Sequence, residues 1–307
     1  MKFVMVFFVL VASSLASGQI YRWVDENGKT HFGDKKQEAL VQEEVVLDKH
    51  TSEWKKYVIN INDVDEIMTS DELKRIEKDV NVVYRFFDEK LYFDIYKTVP
   101  VTIRLYELQE DYHSYLDSIG ASNSKKSRGI YNRKTNEIVV FLNQQDRWRT
   151  FWTIKHETAH AVVDTLTPFV PAWLNEGVAE NMEAIEVSGE RFFLAPHHEN
   201  FSSIRYAIQQ KQDLQVDQLL SMPSRDYYQN VKAGYNPNQP FAGELVRMLL
   251  SSVSGVNFLT RIIHSYERGD RTFSSYLVDK HYVGGKVVLQ NNWNRWMNRD
   301  KSIQCNL

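Results

Sequence analysis

Two stretches with a helical apolar pattern, separated by prolines, lie in the middle of the chain and carry many ionisable side chains. The apolar residues of the first stretch follow the spacing of a buried helix: Phe151, Ile154, Ala159, Val162 and Val163. Pro168 and Pro171 predict that this helix ends and that a second one, PAWLNEGVAENMEAIEV, begins. Residues 155–180 place two histidines and three glutamates on these helices, either around one metal ion or on solvated faces.

The histidines have the spacing of a metal site. His156 and His160 are four residues apart, so on a helix their imidazoles lie on one face and can reach a single ion. Glu157 is rotated by about 100° from His156, which takes it off the ligand axis. It stays close enough to hold a water molecule beside the ion.

A hydrolytic zinc site needs a third protein ligand and an open position for water. Asp164 would lie about 12 Å along the helix axis from His156, too far to share an ion with it. A third histidine spaced as in H-E-x-x-H-x-x-G-x-x-H is excluded, because Val163 and Leu166 occupy those positions. Glu176 remains, since a second helix that crosses the first can bring its carboxylate to the same ion.

The pattern His156-Glu157-x-x-His160, followed by WLNEGVAE at 173–180, resembles the gluzincin metallopeptidases, the thermolysin-like clan with glutamate as third zinc ligand. The resemblance implies one Zn²⁺ per chain, bound by His156, His160 and Glu176. It further implies that Glu157 is the catalytic base.

Two further residues of the second helix match positions that hold the histidines in this clan. They are Asn175 and Glu180. Glu180 lies one turn beyond Glu176, so we expect it to face the same side and to accept the outer N–H of His156.

The resemblance also implies how substrate is bound and how charge is stabilised. The clan binds the substrate backbone on an edge strand that precedes the zinc helix, and GIYN (129–132) and EIVVFLN (137–143) are the two candidates. A downstream tyrosine is expected to stabilise the oxyanion. Tyr227, Tyr228 and Tyr235 are available, and Tyr235 is preferred because it shortly precedes a predicted helix.

The rest of the chain predicts an α+β fold: a small sheet whose edge strand precedes a mainly helical zincin half. Ser70 is the expected N-cap of a helix. TVPVTIRLYE (98–107) alternates as a strand, and 129–142 reads as a hairpin. We expect one metallopeptidase domain at 51–307, with a helix and sheet part at 51–145 and a helical part at 146–307.

The N-terminus has the pattern of a secretory signal peptide at residues 1–18. Lys2 precedes a short apolar run, Phe3–Ala12, and then small residues. A membrane anchor is the alternative, and the short apolar run disfavours it. We therefore expect a protein that is periplasmic or extracellular, without a stable transmembrane anchor.

A small β-hairpin domain with a linker is expected at 19–50. IYRWVDENGKTHFGDKK (20–36) combines strand formers with a turn, and it resembles a small uncharacterised domain of bacterial envelope proteins. The acidic segment that begins at Gln37 reads as the linker.

Composition limits the functional classes. The net charge of −3 gives no basic field for nucleic acid, and the lone cysteine, Cys305, cannot form an internal disulfide. The sequence therefore predicts an exported zinc metallopeptidase that acts on a peptide or protein, bound as an added strand. Two alternatives stay open: a non-catalytic zincin-fold scaffold of the cell envelope, and a hydrolase of cell-wall amides.

Overall fold

The computed structural model describes most of the chain beyond residue 55 and the backbone of three strands before it. The described ranges are 20–24, 30–33, 43–45, 56–95, 100–167, 169–229, 236–300 and 302–307. The chain divides into two compact units, Met1–Lys55 and Lys56–Leu307. The predicted boundary at residue 50 and the predicted signal peptide both lie outside the described residues.

The first unit contains a three-stranded antiparallel sheet of order β2-β1-β3. Strands β1 (Ile20–Val24) and β2 (Thr30–Gly33) pair with Tyr21 opposite Gly33, as the predicted hairpin requires. Strand β3 (Glu43–Val45) pairs with β1 and lies in the segment that was read as a linker. That reading was wrong at β3, because three residues are too few to show an alternating pattern in sequence.

The second unit is α+β, as the sequence predicted. It opens with a four-stranded sheet of order β4-β5-β7-β6, whose strands are β4 (Asn60–Asp63), β5 (Thr102–Tyr106), β6 (Gly129–Asn132) and β7 (Glu137–Phe141). Strands β4, β5 and β7 are parallel to one another, and β6 is antiparallel to β7. Of the two candidate edge strands, GIYN forms the edge and EIVVF lies between β5 and β6.

Eleven helices are found in the described part of this unit, together with a small second sheet. The helices are α1 (Ser70–Glu89), α2 (Gln109–Ser118), α3 (Arg147–Leu166), α4 (Ala172–Glu183), α5 (His198–Gln209), α6 (Val216–Leu220), α7 (Ser224–Tyr228), α8 (Gln239–Leu250), α9 (Val253–Glu267), α10 (Ser274–His281) and α11 (Gly285–Met297). Strands β8 (Ile185–Ser188), β9 (Arg191–Leu194) and β10 (Cys305–Asn306) form the antiparallel second sheet. Within the described ranges no single helix is long and apolar enough to cross a bilayer. Only α8 and α9 together, bent by 117°, have the length and apolar composition that a span needs.

Helix α1 begins one residue earlier than expected. The N-cap is Thr69 rather than Ser70: its hydroxyl accepts from the Glu72 N–H at 3.3 Å, and the Glu72 carboxylate accepts from the Thr69 N–H at 2.9 Å. Glutamate three residues after the cap completes a capping box, and only Thr69 has a glutamate at that distance.

Two glycines allow the close packing that positions the central helices. A Cβ on Gly129 of β6 would lie 2.7 Å from the Thr153 side chain, so glycine lets the edge strand approach α3. A Cβ on Gly177 of α4 would lie 2.6 Å from the Ala242 carbonyl oxygen, so α4 and α8 pack backbone against backbone. Helix α3 is thereby held between the sheet and α4, which it also contacts.

Candidate metal centre

Helices α3 and α4 bring the predicted ligands together. His156, Glu157 and His160 lie on α3, whose apolar face is buried, and Glu176 lies in the second turn of α4. Helix α3 ends at Leu166 and α4 begins after Pro171, which permits the second helix to pack across the first. The predicted boundary between the two helices is confirmed.

The three donor groups are spaced as one ion would require. The distance from His156 Nε2 to Glu176 Oε2 is 3.7 Å, and the distance from His160 Nε2 to Glu176 Oε1 is 3.9 Å. All three donors lie within 4.8 Å of one another. Ligands at tetrahedral angles about 2.1 Å from zinc would be about 3.4 Å apart, so the set fits with a small adjustment. Two imidazoles and one carboxylate also leave a fourth position for water.

The outer nitrogen of His156 contacts Glu183 and not Glu180, which corrects the sequence prediction. The distance from His156 Nδ1 to Glu183 Oε1 is 2.7 Å. Glu183 follows Glu176 by seven residues, about 20° from its direction on the helix, whereas Glu180 is about 40° away on the other side. Both spacings fall on one face, but the crossing of α3 and α4 places Glu183 at the histidine.

Glu180 is buried, and although one of its carboxylate oxygens lies within 4.8 Å of donor atoms of His156 and Glu183, its hydrogen bonds go to other residues. Its carboxylate accepts from Asn200 Nδ2 at 2.9 Å and from Gln239 Nε2 at 2.5 Å, and it lies 3.5 Å from His197 Nε2. Burial and the nearby Glu183 raise the pKa of Glu180. His197 therefore lies at the wall of the centre.

Contrary to the prediction, Asn175 makes no hydrogen bond to either histidine within the described residues. The outer nitrogen of His160, Nδ1, is buried without a hydrogen-bond partner among the described residues. Asn175 lines the cleft nearby. It precedes Glu176 by one residue, so its side chain leaves α4 about 100° from the ligand direction.

The histidines and the glutamates of the centre stabilise each other's charged forms. Burial lowers the pKa of His156, but Glu176 and Glu183 outweigh it, and the net pKa is well above the ordinary value. Burial raises the pKa of Glu176, but His160 and His156 outweigh it and lower that pKa to about 2. The Glu176 carboxylate is therefore ionised across the neutral range, the form in which it binds a cation.

A tyrosine that was not the preferred candidate lies at the ligands. Tyr228, the last residue of α7, donates its hydroxyl to Glu176 Oε1 at 2.6 Å. Burial and the Glu176 carboxylate raise the pKa of this hydroxyl, which keeps it a donor. The preferred residue, Tyr235, lies outside the described residues. Tyr227 is fully buried, and its hydroxyl has no hydrogen-bond partner within the described ranges.

The donors open into a cleft of about 1420 Å³ that follows the edge strand. Strand β6 forms one wall, and α3 contributes His156, Glu157 and His160. The opposite wall is polar and includes His197 and Gln239. A volume of this size accommodates several residues of an extended peptide.

Comparison with known families bears on the first unit. Residues 7–53 match a family described as a domain of unknown function, DUF4124. This match agrees with a small separate domain at the N-terminus, and it does not reach the residues of the cleft. A comparison with curated proteins finds no match.

Proposed function

We propose that this chain is an exported zinc metallopeptidase of the gluzincin type. The observation that carries the proposal is the convergence of His156, His160 and Glu176 within 4.8 Å, in a cleft that also exposes an edge strand. His156, His160 and Glu176 would hold the zinc, and Glu183 would orient His156. When bound, zinc supplies a Lewis acid that lowers the pKa of a water molecule to about 7 and polarises a carbonyl group.

Glu157 would act as general base. It is 8% exposed, follows the first ligand directly, and makes no hydrogen bond or ion pair within the described part of the chain. Its carboxylate would take a proton from the attacking water as the water oxygen bonds to the carbonyl carbon. The same proton would pass to the amide nitrogen as the C–N bond breaks.

Tyr228 is the described residue best placed to donate to the developing oxyanion. Its hydroxyl already lies 2.6 Å from a ligand carboxylate, while the side chain as a whole is 44% exposed toward the cleft. A donor at this point would have its largest effect in the transition state, where negative charge collects on the former carbonyl oxygen. Tyr235 remains the other candidate.

Strand β6 would bind the substrate backbone. It runs alongside α3 in the same direction, since Gly129 lies against Thr153 and Arg133 pairs with Asp164. A peptide added to the free edge of β6 would therefore pass His156 and His160. Main-chain pairing of this kind aligns an extended substrate without requiring particular side chains.

The test combines metal content with peptide cleavage. Elemental analysis of the dialysed mature protein should give one zinc per chain, and cleavage of a mixed peptide library should be followed by mass spectrometry. The variant His160→Ala should lose the metal, and an exposed-residue variant outside the cleft, Glu190→Gln, serves as control. A metal-free wild type that cleaves peptides would refute the proposal.

The same preparation separates the remaining alternatives. Zinc binding without cleavage of any peptide, but with release of amines from purified cell wall, would favour the cell-wall amide hydrolase. Zinc binding without either activity would favour the scaffold. N-terminal sequencing of the exported fraction tests removal of the signal peptide, and an intact Met1 in the membrane fraction would favour an anchor.

A further inference from the structure

Cationic side chains are concentrated on the edge-strand wall of the cleft. Four lie in or beside β6, namely Lys126, Arg128, Arg133 and Lys134, and a fifth, Arg149, lies on α3. Arg133 pairs with Asp164, and Arg149 pairs with Asp146. Lys126, Arg128 and Lys134 are exposed and make no ion pair within the described ranges. The wall therefore presents three positive charges that the described part of the protein does not neutralise.

These three residues flank the metal donors. Arg128 precedes Gly129, which lies against Thr153, about one helical turn before His156. At the other end, Lys134 follows Arg133, whose partner Asp164 lies one turn beyond His160. An extended chain on the free edge of β6 would thus pass Lys126 and Arg128 on one side of the donors and Lys134 on the other.

Among the acidic residues that line the rest of the cleft, Glu180 and Glu183 have partners, whereas Glu157 beside the donors and the exposed Glu199 make no ion pair within the described ranges. Glu180 accepts from two amide groups, and Glu183 contacts His156. The three unpaired cations all lie within residues 126–134, in and beside β6, so this side of the cleft is the cationic one. Charge complementarity therefore favours a ligand with carboxylates, which would pair with these unpaired cations.

We propose that the cleft selects extended peptides with aspartate or glutamate side chains beside Lys126 and Arg128. The proposal takes its reaction from the proposed metallopeptidase function, but the charge preference is a property of binding and can be measured without turnover. Exposed ion pairs are individually weak, so two of them together should favour an acidic peptide over its amide counterpart about three- to tenfold at low salt.

Binding is measured with two labelled ten-residue peptides that differ only in having glutamate or glutamine at alternate positions. The zinc-loaded Glu157→Gln variant prevents cleavage during the titration. Fluorescence anisotropy should show the acidic peptide bound more tightly, and the ratio should fall toward one as NaCl rises to 0.5 M. The double variant Lys126→Gln, Arg128→Gln should bring the ratio at least halfway toward one, with Lys134 accounting for any remainder. Lys78→Gln, Arg268→Gln removes the same charges from exposed residues outside the cleft and should retain it.

The outcomes separate this inference from the proposed function. A charge preference in binding together with no cleavage by the wild type would refute the peptidase and leave the acidic ligand standing. Cleavage of both peptides at equal kcat/KM, or a preference that Lys126→Gln, Arg128→Gln leaves undiminished, would overturn the inference and leave the peptidase standing. The inference is also overturned if neither peptide binds. A parallel titration with phosphatidylglycerol vesicles that shows binding to the vesicles alone would overturn it too.

Discussion

Glu183 offers the sharpest test of the metal centre, because the structure gives it the contact with His156 that the sequence analysis predicted for Glu180. Its carboxylate lies 2.7 Å from His156 Nδ1, with the two side chains 25% and 11% exposed. A carboxylate in this position fixes the histidine tautomer with Nε2 free for the metal and makes the ring a better ligand. Removing it should leave the fold intact and weaken the metal site.

The size of the effect can be bracketed. Loss of a residue that orients a ligand typically costs about 10- to 100-fold in metal affinity, or about 1.4–2.7 kcal/mol. Glu183→Ala should fall in this range, and Glu183→Gln near its lower limit because the amide oxygen can still accept from Nδ1. Glu176→Ala removes a ligand and should lose stoichiometric zinc altogether. Glu180→Ala should change affinity less than Glu183→Ala, because Glu180 is bonded to Asn200 and Gln239 instead.

The assay is competition with a chromophoric zinc chelator at fixed pH. Circular dichroism of each metal-free variant checks that the fold is kept, and Glu186→Gln, an exposed glutamate three residues beyond Glu183, is the matched control. The reasoning is refuted if Glu183→Ala binds zinc within twofold of the wild type while Glu180→Ala is tenfold weaker. That result would mean that α4 presents the carboxylate one turn earlier than the structure has it.

Three further predictions address the base, the oxyanion donor and the start of α1. Glu157→Gln should keep zinc and lose about 10²–10⁴ in kcat, and retained turnover would show that another residue is the base. Tyr228→Phe should keep zinc and lower kcat about 10²–10³-fold, whereas an unchanged rate would transfer the role to Tyr235. Arg147 lowers the pKa of Glu72 to about 2, against 4.5 ordinarily, so this ion pair stabilises the fold above pH 4.5 and is lost as the pH falls toward 2. In urea unfolding, Glu72→Gln should therefore cost about 1 kcal/mol at pH 7 and less at pH 3, and an equal cost at both would contradict the ion pair.

Much of the architecture could be predicted from local patterns in the sequence. The spacing of His156 and His160 is a property of one helix, and the prolines after Leu166 mark where the next helix begins. Strands β6 and β7 follow from alternation and a turn, so their bounds were predicted to within a residue. These features depend on neighbours a few residues away, which is the range over which backbone preferences act.

Features that depend on how elements pack were missed or left open. Which strand forms the sheet edge depends on β5 pairing with β7 and not with β6, a contact between segments some 30 residues apart. Tyr228 ends a five-residue helix that is too short to show periodicity. The N-cap is Thr69 and not Ser70 because only Thr69 has a glutamate three residues on, a local signal that the choice of Ser70 overlooked.

The four glutamates around the centre show most directly what packing adds to sequence. Glu157 and Glu176 follow from spacing along single helices, but Glu180 and Glu183 are both compatible with the same face of α4. Their roles are separated by how α4 packs against α3 and α8, and Gly177 allows the close approach to α8. In that crossing Glu183 meets an imidazole, whereas Glu180 meets amide groups of α5 and α8. A larger residue at Gly177 would shift α4, and both carboxylates would have to find new partners.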